Sequence, residues 1–396
     1  MASLFIDALV TPIFVMPLCG SLSLLSWLYL LLFHGRFWRV NRLRAEQPDS
    51  APIAGPVAVV IPARNEAESV AQAVRSLLNQ SGTSALHIFV VDDHSTDGTA
   101  DAARAAASGA NASRLTIISG APLPSGWTGK LWAVQQGTDA ATQLRPQFLL
   151  LTDADVEHAP DNIATLVSIA QREGYDLVSF MVKLRCESFA ERLLIPAFVF
   201  FFFMLYPPAW IRSPKRRTAG AAGGCMLIRP EALQRAGGMA AIRSEIIDDC
   251  ALARRVKRSG GRVWLGVTRS TCSLRVYGSF GEIEHMIART AFNQLQHSAT
   301  MLAGAVVGMA LVYLLPLLLL FSGERRLMLL GALSYLLMCI SYFPMVRFYG
   351  LGIGWALTLP FAAIFYMAST VDSALKFWTG RGGQWKGRAQ DAHSAM

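Results

Sequence analysis

Between Asp7 and Arg36 the chain carries no formal charge for 28 residues, and uncharged runs return at 290–323, 327–346 and 348–371. At about 1.5 Å of rise per residue, each is long enough to cross a hydrocarbon core roughly 30 Å thick. A chain with such ends and a polar middle cannot bury all its apolar surface around one water-bounded core. The mean hydropathy of +0.37 and a charged fraction of only 16% exclude disorder as its main state.

The first run lacks the positive lead-in and small-residue cleavage site of a secretory signal. Its positives follow it instead, as Arg36, Arg39, Arg42 and Arg44, which predicts an uncleaved anchor over 1–35 with the next segment cytoplasmic. Membrane helices are expected within 300–376. Lys376, Arg381, Lys386 and Arg388 favour an inside tail over 377–396, whereas three spans after a cytoplasmic domain would put it outside. The expected location is the inner (plasma) membrane, multi-pass. A fifth apolar run, 193–211, contains Pro196, Pro207 and Pro208; these should break or kink a helix, and the segment reads as interfacial, with a buried core helix as the plainer alternative. The net charge of +9 and six scattered cysteines without a CxxC pair suit cytoplasmic loops, anionic lipid and reduced thiols, with no call for nucleic acid.

From residue 57 onward, apolar β-branched runs alternate with Ala-rich helical stretches: VAVVI, HIFVV, LTII and FLLL, after a basic, Pro/Ala-rich linker over 36–56. This rhythm predicts an α/β domain over 57–290 with a mostly parallel sheet. Ligands of such sheets sit at the carboxyl ends of the strands. Three polar clusters fall there: Pro62-Ala-Arg64-Asn65-Glu66, Asp92-Asp93 and Asp153-Ala-Asp155.

Asp153 and Asp155 leave a strand one residue apart. Paired carboxylates of this kind can hold a hard divalent cation, Mn²⁺ or Mg²⁺, while leaving positions open for phosphate oxygens; either could equally be a helix cap. Nearby His158 could ligate or touch phosphate, although an exposed loop histidine is the plainer reading. Asp92 and Asp93 could accept hydrogen bonds from a base or ribose, while Asp97 and Thr99 suit a helix cap. Lys130 opens a helix in GWTGKLWAV and could face a diphosphate or simply be a solvated lysine. In SEIIDDCALARRVKRSGG, Asp248 and Asp249 begin an amphipathic helix, where acids suit the dipole or one could act as a general base.

In that order and spacing, VVIPARNEAESV, VVDDHSTDGT, LLLTDADVEH, GGCMLIRPEAL and IIDDCALARRVKRSGGRVWL resemble the family 2 glycosyltransferases of GT-A fold. The anchor, the C-terminal apolar runs and Gln384-Trp385-Lys386-Gly387-Arg388 are most similar to the hopene-associated subgroup. The resemblance implies inverting transfer from a nucleotide sugar, with a UDP-sugar expected, to a membrane lipid hydroxyl such as a hopanoid. It implies that Pro62, Arg64, Glu66, Asp92, Asp93, Lys130 and Asp153 bind the nucleotide sugar, that Asp155 and Asp153 hold the metal, and that Asp249, with Asp248 in place of the usual Glu, is the base. Arg289-Thr-Ala-Phe-Asn-Gln294 departs from the Gln-x-x-Arg-Trp motif of processive relatives. Transfer to a polyprenyl phosphate, and a non-catalytic membrane scaffold, are the alternatives.

Overall fold

In the computed structural model the described residues are 2–43, 55–82, 85–380, 384–385 and 388–389. They form two units. One gathers 1–41, 186–207 and 277–375; the other gathers 42–185, 208–276 and the tail from 376. Arg44, most of the linker's second half, and Arg381, Lys386 and Gly387 of the tail lie outside the described residues.

The second unit is built on an eight-stranded sheet. Every side chain of β1 (Val57–Ala63) is buried, as a strand covered on both faces requires. β2 (Leu86–Asp92) and β4 (Phe148–Thr152) flank β1 in parallel, and β3 (Leu115–Ser119) continues beyond β2. The remaining strands are β5 (Val156–Glu157), β6 (Leu177–Lys183), β7 (Cys225–Ile228) and β8 (Val263–Ser273), giving the order β3-β2-β1-β4-β7-β6-β8-β5.

The sheet is mostly parallel, but β7 runs antiparallel to both β4 and β6, and β5 runs antiparallel to β8. The entry into β7 is a tight turn: Ser179 Oγ accepts the Ala222 N–H at 2.9 Å and donates to the Ala222 carbonyl at 3.1 Å. A chain clamped there enters the sheet reversed, which no local periodicity announces.

The helix Gly129–Thr142 lies on β1 and β2. Its approach is close because Gly137 has no side chain: a Cβ there would stand 2.4 Å from Val60 Cγ1 and 3.0 Å from Val91 Cγ2. Gly137→Val should therefore destabilise the fold by about 3 kcal/mol, the upper end of overpacking costs. A melting temperature in detergent unchanged from wild type would contradict this packing.

The first unit is helical. Its helices include Ala2–Leu32, Phe189–Leu205, Ala299–Met309 (continued by a π turn and Leu315–Leu319), Arg325–Phe348 and most of Leu359–Trp378. Within the π turn Ala310–Leu314 the Val312 carbonyl accepts from Trp27 Nε1 at 2.8 Å. Phe200, Phe201, Tyr313, Tyr342 and Tyr366 make a linked aromatic core with centroids 5.0–6.0 Å apart.

One sequence expectation needs correction in this unit. Pro196 does not break its helix, which runs from Phe189 to Leu205. A capping box of Ser188 and Glu191 fixes its start, and Phe200 and Phe203, both buried, outweigh the one backbone bond a proline removes. The uncharged run 348–371 is not one helix. Arg325–Phe348 is followed by Gly350, whose φ of 78° turns the chain, and a 3-10 segment Ile353–Thr358 precedes the next helix.

Among the described residues, five helical stretches are long and apolar enough to cross a membrane: Val15–Leu32, Phe189–Arg212, Ala299–Leu319, Arg325–Phe348 and Ile353–Trp378. Leu18, Leu25, Val307, Leu318, Phe321 and Leu336 project outward unburied, an apolar surface far from the norm for a water-bounded protein.

Candidate active site

The carboxyl ends of β1, β2 and β4 come to one edge, as their parallel pairing demands. The loops after β1 and β2 are laced together. Asn65 Oδ1 accepts the Thr96 N–H, Ser95 Oγ accepts the Asn65 N–H and Thr99 Oγ1 accepts the Glu66 N–H, at 2.8–3.0 Å. Asn65 and His94 both hold a positive φ, near 50° and 54°. Residues other than glycine keep that conformation only where surroundings over-determine it. The Asp92 carboxylate accepts the Ser95 N–H at 3.1 Å. Asp93 is buried, with Arg64 donating to its carbonyl at 2.6 Å and lying 3.7 Å from its carboxylate. Arg64, Asp92 and Asp93 thus shape the loops, in addition to anything they bind. Asp97 does not itself occupy the cap position, which is Gly98 at φ 87°; its carboxylate accepts the Thr99 N–H from one residue earlier.

Lys130 sits in the first turn of Gly129–Thr142, which Thr128 caps. It is not a solvated surface lysine. Its Nζ lies 3.0 Å from Asp153 Oδ1 and 3.2 Å from Asp248 Oδ2, with its side chain 21% exposed. Burial alone would lower its pKa, but Asp153, Asp248 and Asp249 outweigh burial and raise it, so it is a fixed cation. Residues 130, 153 and 248, far apart in sequence, line one cleft with Pro62 and Gly223.

Asp249 is held by two backbone donors: the Gly223 N–H reaches Oδ2 at 2.8 Å and the Cys250 N–H reaches Oδ1 at 2.6 Å. Burial first, then the Asp248 charge beside it, push its carboxyl up to about 6, against the pull of Lys130 and these two amides. A carboxylate so tuned is ionised at neutral pH yet basic enough to take a proton. The glycine at 223 leaves room here: a Cβ would sit 3.5 Å from Asp249 Oδ2 and 3.6 Å from Lys130 Nζ.

On the other side of the Asp-x-Asp turn stands a residue no motif marked. Arg275 Nε donates to Asp155 Oδ2 at 2.9 Å, and its NH2 group lies 3.2 Å from Glu66 Oε1. Pairing of β5 with β8, Val156 opposite Ser273, brings residue 275 to residue 155. His158 is corrected outright. It is buried, meets Thr152 Oγ1 and Asn162 Nδ2 at 2.9 Å each, and burial pushes its pKa down to about 3. It is a neutral core histidine beneath the site. None of the six cysteines, all among the described residues, is joined in a disulfide.

Asp153, Asp155 and Glu66 present hard carboxylate oxygens on the same edge. Among the described residues no three His, Cys, Asp or Glu side chains converge as a closed cage. That donor set fits a hard divalent cation of the kind bound by one or two carboxylates and completed by substrate phosphates.

Residues 58–237 match the family model of glycosyl transferase family 2. The matched stretch contains the three edge clusters and Lys130, and stops short of Asp248 and Asp249. No curated protein matches the chain. Among solved structures, the chain is similar to the mannosyltransferase PcManGT from Pyrobaculum calidifontis in complex with GDP-Man and Mn²⁺, with a TM-score of 0.56, 17% identity, and coverage of 92% of this chain and 99% of that one. At that identity the likeness establishes a GT-A-like α/β fold. Looser overlaps, at TM-scores of 0.40 and 0.35, are with glucosyl-3-phosphoglycerate synthase from Mycobacterium tuberculosis in complex with Mn²⁺ and UDP-glucose (18% identity, 61% of this chain, 79% of that chain) and mannosyl-3-phosphoglycerate synthase from Rubrobacter xylanophilus (16% identity, 67% and 81%).

Proposed function

We propose that the chain is an inverting glycosyltransferase that moves a sugar from a nucleotide sugar, a UDP-sugar first among candidates, to the hydroxyl of a membrane lipid, a hopanoid being the acceptor class to try first. The observation that carries the reading is the convergence of Lys130, Asp153 and Asp248 in one cleft at the carboxyl edge of a GT-A-like sheet, with Asp249 held beside it on the N–H of the cleft residue Gly223. The apolar outer surface of the helical unit supports a multi-pass protein and a lipid acceptor; the cytoplasmic side for the sheet domain rests on the arginines that follow the first apolar run.

In this reading Asp249 takes the proton from the acceptor oxygen. That oxygen forms its bond to the anomeric carbon as the bond to the diphosphate breaks on the opposite face, so the configuration inverts. Lys130 holds Asp248 and Asp153 in place and presents positive charge toward the departing diphosphate. Asp155, with Asp153 beside it, would hold Mn²⁺ or Mg²⁺, which when bound supplies Lewis-acid stabilisation of the leaving group. Pro62, Arg64, Glu66, Asp92 and Asp93 border the nucleotide.

The test uses membranes containing the protein and a panel of labelled UDP- and GDP-sugars, with label followed into the organic extract. Transfer is expected from one donor, lost on chelation and regained with added Mn²⁺. Absence of transfer from every donor, with hopanoid and polyprenyl phosphate acceptors supplied, would sink the proposal in favour of a scaffold. Transfer only to polyprenyl phosphate, indifferent to residue 249, would replace the lipid hydroxyl.

A further inference from the structure

Both carboxylates of the Asp153-Ala-Asp155 turn are already engaged by cations of this chain, Asp153 by Lys130 at 3.0 Å and Asp155 by Arg275 at 2.9 Å. The two pairings are not alike. Lys130 is set deep, with 21% of its side chain exposed, and also serves Asp248. Arg275 is 39% exposed, and its guanidinium bridges Asp155 to Glu66, each of those carboxylates being only 16% exposed. It therefore ties the loop after β1 to the turn after β4 from the solvent side, on a side chain that is able to move.

An oxygen of Asp155 that accepts from a guanidinium cannot at full strength also ligate a divalent cation, and the two cations repel each other at such range. A metal ion arriving alone must displace Arg275 and leave it beside a dication. A nucleoside diphosphate removes that conflict, because its oxygens can complete the metal's shell while its negative charge offsets the displaced guanidinium. We propose that Arg275 is a resident counter-ion that keeps divalent metal off Asp155 until a nucleoside diphosphate arrives, so that metal and diphosphate bind as a coupled pair. This deepens the glycosyltransferase reading and rests on it. Arg275 is a positioning residue in this scheme, since it acts through Asp155 and Glu66.

The experiment measures Mn²⁺ binding to the purified full-length protein in detergent, by electron paramagnetic resonance of free Mn²⁺, with and without UDP or GDP. Wild type should bind Mn²⁺ weakly alone and more tightly with the diphosphate. Arg275→Gln, which removes the charge but keeps an amide donor, should bind Mn²⁺ alone about fivefold more tightly, the scale of a partly exposed ion pair. With Mn²⁺ affinity in the diphosphate complex unchanged, the coupling between Mn²⁺ and the diphosphate should shrink by the same factor, whichever of the two is titrated. Arg275→Lys, which keeps the charge and guards against a folding artefact, should stay close to wild type. Equal Mn²⁺ affinity in wild type and Arg275→Gln, with coupling intact, overturns the proposal alone. Mn²⁺ binding that survives Asp155→Asn unchanged overturns it too, by putting the metal elsewhere. No Mn²⁺ binding in any variant with either diphosphate overturns the underlying reading of the site, and the proposal with it.

Discussion

Asp249→Asn is expected to lower sugar transfer by about 10²–10⁴-fold, the usual cost of a lost general base, while donor affinity stays near wild type. The substitution keeps the size of the side chain but removes the carboxylate that takes the acceptor proton. The amide also fits less well than the carboxylate, because both Asp249 oxygens receive backbone N–H groups, from Gly223 and Cys250, and an amide NH2 cannot accept either. Asp248→Asn is the matched comparison: it loosens Lys130, which lies 3.2 Å from Asp248, and should cost less. Single-turnover transfer beside nucleotide binding separates the two. A larger loss at 248 than at 249 would move the base by one residue.

The pH profile follows from the same carboxyl. Its folded pKa is raised to about 6 by burial and then by Asp248, and the active form is the ionised one. Activity should fall about tenfold per unit as pH drops below about 6 and level off above it. Stability moves the other way. A carboxyl with a folded pKa above its unfolded value near 3.9 favours folding most when protonated, so this contribution fades as pH rises from about 4 to about 6.

Lys130→Met carries the second large effect. The cation shared by Asp153 and Asp248 disappears, leaving those acids and Asp249 clustered without it. Transfer should drop by about 10²-fold, the scale of removing one electrostatic contact to a leaving group. The acid limb of the pH profile should also shift to higher pH, because Lys130 is the first of the groups, with the Cys250 and Gly223 amides, that hold the Asp249 carboxyl down against burial and Asp248. A merely structural lysine would lower activity without moving that limb. An unshifted limb would separate Lys130 from the base.

Much of the candidate site is legible in the sequence. β-strand and helix alternation is a local signal, and in parallel pairing it forces the carboxyl ends of β1, β2 and β4 to one edge. Pro62, Arg64, Glu66, Asp92, Asp93, Asp153 and Asp155 could therefore be assigned to a common place from sequence. β6 and β8 obeyed the same rule, with LVSFMVK and VWLGV as their apolar runs, but no polar motif drew attention to them. His158 misled because a polar residue just past a short strand looks solvated, and only the Thr152 and Asn162 partners explain its burial.

The sequence by itself determined where the apolar helices and the α/β stretch lie and which carboxylates share an edge, because side-chain periodicity and strand ends are local properties. Tertiary structure alone decided that β7 reverses, that Lys130 reaches both Asp153 and Asp248, and that Arg275 stands on Asp155. Each of those depends on which distant strands pair and in what register. That choice is settled by the burial and hydrogen bonding of whole strands against one another, as when Val156 and Glu157 pair with Ser273 and Cys272, and no local pattern around residue 275 records it.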